Sequence, residues 1–376
     1  MKRTLFLSLA VVIVAGLAFT AGFTSSSEIN EYTANFETGT PGHMSIGELA
    51  FGPEGILFYG DGPGASIYAL DTEDKQGSLS SDAININDIH GKIAQKLGAG
   101  PDDISIQDMA VNPFSHKVYI SLRRGQGNNA SYHLLTVSNE STIEEVGLSN
   151  VRFSQFELNN VPSPEATDRR GNSLRSASIT DLSYADGQVY VAGISNEEFA
   201  SGFRQIAFPF KGKESLSTLE IYHVSHGQYE TNAPIRTFLP YSMDGSSYIV
   251  AGYTCTPLVL FSADDLKDGQ HVRGKTVAEL GNRNRPLDII SYTDTNGNES
   301  LMIANSSYSV MRVSPADIKR QSHLDKPLND GEKTSGVTFE SLEYENVRHM
   351  DNLNGKYVVM LQQMDDGTID LRSISK

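Results

Sequence analysis

The sequence predicts an all-β fold, a β-propeller of six blades, and three observations carry that reading. A strand–turn–strand pattern recurs six times, with starts at residues 48, 108, 181, 237, 288 and 346, which are 51 to 73 residues apart. Repeats at that period with only β signals inside them are the mark of blades packed around an axis, because one small sheet cannot bury both of its faces. The turns are Asp186-Gly187, Asp244-Gly245, Asn296-Gly297 and Asn354-Gly355 in four of the copies, and mirror-image hairpin turns select those pairs for positive φ.

The copies in chain order are Glu48 to Gly60, Asp108 to Ile120, Ile179 to Gly193, Thr237 to Ala251, Asp288 to Ala304 and Asn346 to Leu361. Each is followed by a third strand: Ser66–Leu70, Tyr132–Val137, Phe203–Phe208, Leu258–Phe261, Val310–Val313 and Ile369–Ile374. Fourth strands are expected at Ala83–Ile86, Val151–Phe156, Leu219–Val224, Thr276–Leu280 and Val337–Leu342. The sixth copy runs out at Lys376, so the expected closing strand is Glu31–Phe36 near the N-terminus, which would remove exposed edges. A seventh blade stays open as an alternative if a long connection hides a degenerate one.

One stretch changes period. Ile89, Ile93 and Leu97 recur every four residues, Asp88 can cap them, and Gly98 and Pro101 end the run. This predicts one short inserted helix that covers a blade edge. Residues 320–335, rich in Lys, Asp and Gly, read as a solvated excursion between two strands of the fifth copy.

Residues 1–27 precede the repeats. Lys2 and Arg3, an uncharged apolar run from Leu5 to Phe19 and small residues after it follow the pattern of a secretory signal, with an uncleaved N-terminal anchor as the alternative. The expectation is a periplasmic or secreted protein of bacterial-type export, its domain at 28–376, monomeric, with no membrane insertion after cleavage. No later apolar run approaches the ~20 residues of a span.

The chain has a net charge of −16, and without Lys2 and Arg3 it holds 28 basic against 46 acidic residues, −18. That opposes nucleic-acid binding. A single cysteine, Cys255, excludes an internal disulfide. The absence of Trp argues against Trp-Asp repeats.

Propeller topology puts the turns between second and third strands on the same face as the crossings between blades. The long loops of this chain fall there, and rigid scaffolds carry binding residues on such loops. That face collects Arg123, Arg124, Arg169, Arg170, Arg175, Arg283 and Arg285. Guanidinium forks match carboxylates and phosphates, so the expected ligand is anionic, with Arg123, Arg175, His226, Tyr253, Arg283, Arg285 and Asn305 as the candidate contacts. Pairing with loop carboxylates is the plainer reading.

No complete metal motif is present, and no cofactor is predicted. Cys255 with His43, His226 and His223 would supply ligand types that suit copper or zinc, while a buried small thiol is the plainer account of Cys255. Asp294-Thr-Asn-Gly-Asn-Glu299 has part of a calcium loop but sits where a hairpin turn is needed. Asp108, Asp181 and Asp288 recur at the starts of innermost strands. Such an Asp ties neighbouring blades by accepting backbone hydrogen bonds, or lines the axis with charge.

Glu48 to Asp61 resembles the repeat unit of NHL and gluconolactonase-type propellers, and residues 105–120, with their Asn112-Pro113 turn, resemble exported bacterial propellers of the surface-layer or YncE-like kind. The resemblance implies the fold. The Glu, Asn and Asp metal set of gluconolactonase-type enzymes has no complete counterpart here. The functional expectation is a non-catalytic exported propeller that binds an anionic small molecule or an exported protein partner. The alternatives are a metal-dependent hydrolase, lactonase or redox enzyme at the channel mouth, or a purely structural module.

Overall fold

In a computed structural model that describes residues 30–75, 82–138 and 141–376, the chain forms six sheets around a central channel. The proposed signal or anchor at 1–27 lies outside the described residues.

The hairpins form at all four predicted pairs, but the left-handed pair is taken only at the two Asp-Gly turns: at Asn296-Gly297 only Gly297 has positive φ, at 85°, and at Asn354-Gly355 neither residue does. Asp186 and Gly187 take φ of 50° and 77°, and Asp244 and Gly245 take 49° and 76°, the left-handed pair that a two-residue hairpin needs. Innermost strands are Leu49–Phe51, Ile104–Val111, Asp181–Ala185, Thr237–Met243, Pro286–Thr293 and Val347–Asn352, and they define blades one to six. Second strands are buried on both faces, as in Ile56–Asp61, because each is covered by a neighbouring blade on either side. Six apolar clusters fill the six seams; Phe203 and Phe238, for example, pack between blades three and four.

The blades do not follow one another around the ring in chain order. Blade one lies between blades two and three, and blade two touches blade six. The order around the axis is therefore one, three, four, five, six, two. Two edge strands cause this, and both depart from expectation. Val151–Glu157 is the fourth strand of blade one, paired with Ser66–Asp71, and blade two is completed instead by Ile143–Glu145. The segment expected to complete blade one runs to blade six: Ile86 bridges Leu371, and Ser373 Oγ hydrogen-bonds both the nitrogen and the oxygen of Ile84 at 2.8 Å.

The ring is thus closed by residues 84–86 against the C-terminal strand, and the expected closing strand is corrected. Glu31–Thr33 is a 3-10 turn, and Glu37–Gly39 adds a fifth strand to blade one by pairing with Val151–Glu157. Edge strands carry little of the alternation that fixes a partner, so sequence distance misassigned them.

The expected helix is present as α1, Ile89–Lys96, with Asp88 Oδ1 accepting from Gly91 N at 2.9 Å. It buries Ile89, Ile93 and Ala94 against the seam of blades two and six. A second helix, α2, spans Pro315–Arg320. The excursion after it docks at two points: Leu324 N donates to Thr276 O, and Ser335–Gly336 pairs with the outer strand of blade four.

Close packing at the crossings selects glycine. A Cβ on Gly193, at the end of a second strand, would stand 2.0 Å from Ser178 O of the incoming connection. Gly252 meets Pro286 in the same way, at 2.9 Å from its Cγ.

Candidate functional site

The innermost strands enclose a channel of about 780 Å³. Their first residues face the loop-rich mouth, which Glu48, Arg236, Arg285, Arg348 and His349 line with Asn305. The far end is lined by Phe51, Val111 and Tyr184. The arginines gather at the mouth, and the far end mixes these apolar residues with Asp351 and Asn352.

Four aspartates line the channel, three toward the mouth and Asp351 deeper, beside Val111, and each ties neighbouring blades. Asp108 Oδ2 accepts from Leu49 N at 2.7 Å, and Asp351 Oδ2 from Val111 N at 2.7 Å. Asp288 Oδ2 accepts from Met350 N at 2.6 Å, and Asp181 Oδ2 from Phe238 N at 2.7 Å. The clasp reading of these residues is correct, and they line the axis as well. Asp351 completes a set that the sequence reading began.

Gathering acids in an enclosed space moves their protonation. Burial pushes Glu48 up to about 7, with nearby Asp108 adding to the rise and Arg236 and His349 opposing it. Burial and then Asp108 raise Asp288 to about 7, and burial raises Asp351 to about 6 against the Val111 and Asn352 N–H groups. Asp181 rises well above its ordinary range, from burial first and then from Asp108. Burial and the neighbouring Arg285 lower Arg236. Burial would lower His349, but Asp108, with its Oδ1 3.0 Å from Nδ1, and Asp288 together raise it.

Among the described residues the side chains of Arg236 and Arg285 make no hydrogen bond and no ion pair within 4.0 Å, and Arg348 donates to Gln363 Oε1 at 2.7 Å. Arg236 and Arg348 belong to innermost strands or directly precede them, a signal that the sequence reading did not use.

The other candidate residues are placed elsewhere. Arg175 donates to the carbonyls of Pro63 and Pro162 at 3.3 and 3.1 Å, so its guanidinium anchors a loop. Arg123 lies in the second strand of blade two with a buried Nε, and Arg124 donates to Gly98 O. Arg169, Arg170 and Arg283 are exposed, Arg283 in a turn with φ of 57°. Tyr253 is buried in the seam of blades three and four and does not face the channel. Asn305 accepts from Asn284 Nδ2 at 2.7 Å and donates to Ile303 O and Ser309 O, which fixes the 305–309 turn beside the channel. The seven sequence-selected arginines belong to connections of different blades, and Arg285 alone of them lines the channel.

His226 lies against His223, ring centroids 3.9 Å apart, and with Cys255 they bring three ligand atoms within 4.8 Å of one another. His43 is not among them; it faces Tyr59 Oη at 3.1 Å and packs edge-on to Tyr68. In the suspected calcium loop, Asp294 Oδ1 accepts from Asn296 N and Asn298 N, which is the hairpin turn the alternative required.

No protein-family model matches the chain, and no curated protein matches it. Solved propellers are similar at low identity. The PQQ-bound aldose sugar dehydrogenase of Streptomyces coelicolor is 12% identical with a TM-score of 0.36, over 90% of this chain and 96% of that one. An oxidoreductase from Thermus thermophilus, described as a glucose dehydrogenase, is 12% identical with a TM-score of 0.35, over 90% and 99%. A streptogramin B lyase is 8% identical with a TM-score of 0.31, over 92% and 100%.

Proposed function

We propose that the protein is an exported ligand-binding propeller whose channel mouth takes a small carboxylate-bearing molecule. The observation that supports this is the pair Arg236 and Arg285. Two neighbouring exposed guanidinium groups, with no carboxylate within 4.0 Å among the described residues, line the open mouth of the channel in a chain of net charge −16. A planar carboxylate would meet them as a bidentate acceptor, at about 1.5–3 kcal/mol for each charge-assisted contact. Arg348 supplies a third donor at the rim, and the apolar residues of the far end accommodate a hydrocarbon tail. Glu48 tunes the site: as an anion it opposes the ligand, and as a neutral acid near pH 7 it donates to it.

The competing account is that the arginines only balance the channel aspartates. The two accounts differ in what the arginines are needed for. Calorimetric titration with citrate, gluconate, glutamate and inorganic phosphate tests the site. At least one carboxylate is expected to bind at about 1 mM or tighter, and Arg285→Gln to weaken it about tenfold to a hundredfold without loss of stability. The reading fails if no probe binds, or if Arg285→Gln lowers the melting temperature and leaves affinity unchanged.

A further inference from the structure

We propose that His223, His226 and Cys255 bind one borderline-soft transition-metal ion, of the zinc or copper class, in the seam between blades three and four. The site is separate from the channel and independent of the ligand proposed there.

Three chain segments build it. The outer strand of blade three, Ser215–His223, ends at the first histidine, and a tight turn brings His226 back beside it. The turn between the second and third strands of blade four carries Cys255. Thr276 Oγ1 donates to Tyr222 O at 2.7 Å, which holds the two blades together next to the cluster.

The ligand atoms already converge to within 4.8 Å. Around a tetrahedral ion with Zn–N of about 2.0–2.1 Å and Zn–S of about 2.3 Å, they would stand roughly 3.3–3.6 Å apart. The set therefore closes by about an ångström on binding. Thiolate and imidazole select zinc and copper over magnesium and calcium.

The surroundings fit ligands rather than a plain buried thiol. Glu230 holds both histidines by the same ring atom: its Oε2 is 2.9 Å from His223 Nδ1 and its Oε1 is 2.6 Å from His226 Nδ1. A carboxylate on Nδ1 fixes the tautomer that leaves Nε2 free to ligate, the usual support of a metal-binding histidine. His223 is 3% exposed, and among the described residues its Nε2 has no hydrogen-bond partner. The fully buried Glu279 lies beside the two histidines; its Oε1 is also unpartnered, while Oε2 accepts from Ser225 N at 3.3 Å. An unpaired buried polar atom costs about 1–3 kcal/mol, so two of them beside a thiol call for an occupant. Glu279 offers a counter-charge for a divalent ion.

A cysteine nucleophile with one histidine and Glu230 would use the same thiol. It leaves the second, buried imidazole and Glu279 without a role, whereas a metal ion uses both. The ion has access from solvent, because His226 is exposed and Cys255 is half-buried.

The test uses the full chain after dialysis against a chelator. Titration with Co2+ is expected to give a thiolate-to-cobalt charge-transfer band that saturates at one equivalent, and Zn2+ to abolish it by displacement. Cys255→Ser should remove the band, and His226→Gln should weaken Zn2+ binding at least tenfold; both variants are read for folding by circular dichroism. Glu230→Gln should weaken it by about ten- to a hundredfold. Zn2+ should also slow alkylation of Cys255 by iodoacetamide. The proposal is overturned if wild-type protein at saturating Co2+ shows no such band. It is equally overturned if folded Cys255→Ser and His226→Gln bind Zn2+ as tightly as wild type, or if alkylation is unaffected by Zn2+.

Discussion

Asp108 and His349 face each other across the seam between blades two and six, with Oδ1 and Nδ1 3.0 Å apart. The other oxygen of Asp108 accepts from Leu49 N of blade one, so one carboxylate joins three blades. Replacing Asp108 with Ala removes the acceptor for Leu49 and the partner of a mostly buried imidazole. The expected loss is about 2–4 kcal/mol. Asp108→Asn keeps one acceptor and should lose less. Urea midpoints at unchanged slope measure both.

The channel acids set a pH dependence whose sign follows from their shifts. Glu48 and Asp288 titrate at about 7 and Asp351 at about 6, each above its ordinary value, so the native chain binds more protons there than the unfolded one. Their stabilisation is complete below the unfolded values and is lost as pH rises through 6 to 7. His349, raised as well, adds a contribution of the same sign. Exposed Asp168, Asp294, Asp366 and Glu332 are lowered and act only at more acid pH. The melting temperature should therefore fall between about pH 5 and pH 8. Asp288→Asn should flatten that slope; an unchanged slope would refute the assignment.

Closure of the ring rests on a short bridge. Ile86 N donates to Leu371 O at 2.8 Å, and Leu371 N donates to Ile86 O at 3.0 Å. Ile86→Pro removes the first donor at an outer strand and is expected to cost about 1–3 kcal/mol. Ser373→Ala should cost about 1 kcal/mol by removing the side chain that hydrogen-bonds Ile84. Because blade six closes the ring, both should raise hydrogen exchange first in Ile369–Ser375.

Arg204 is fully buried, and its Nε lies 3.4 Å from Glu214 Oε1. Glu214→Leu leaves an uncompensated buried guanidinium and is expected to cost about 3–5 kcal/mol. Adding Arg204→Met should recover most of that loss. A double-mutant cycle on thermal or urea unfolding decides it, and additive single costs would refute the pairing.

The hairpins were legible because turn-forming pairs act over a few residues: the two Asp-Gly pairs take the left-handed turn, while Asn296-Gly297 and Asn354-Gly355 mark the right place within longer loops. The helix cap at Asp88 and the clasp role of Asp108, Asp181 and Asp288 were legible because each repeats a local pattern. The arginine set was legible only at Arg285. Exposed loop arginines and channel arginines look alike in sequence, and Arg175 shows the difference: its carbonyl partners, Pro63 and Pro162, come from distant connections. His43 was grouped with Cys255 on face alone, and the fold places it against Tyr59 instead.

What the sequence by itself determined is the blade: its hairpin, its first three strands, its apolar seams and the number of copies. Those rest on the period-two pattern and on turn residues, which act within a few positions. Only the tertiary structure decided the order of the blades around the axis, the partner of each outer strand, and which of the candidate histidines meet Cys255: His223 and His226 do, and His43 does not. An edge strand such as Val151–Glu157 offers its backbone to any open sheet, and its alternation fixes a face but not a partner. Which blade receives it is settled by closing the ring with every seam filled, a condition on the whole chain.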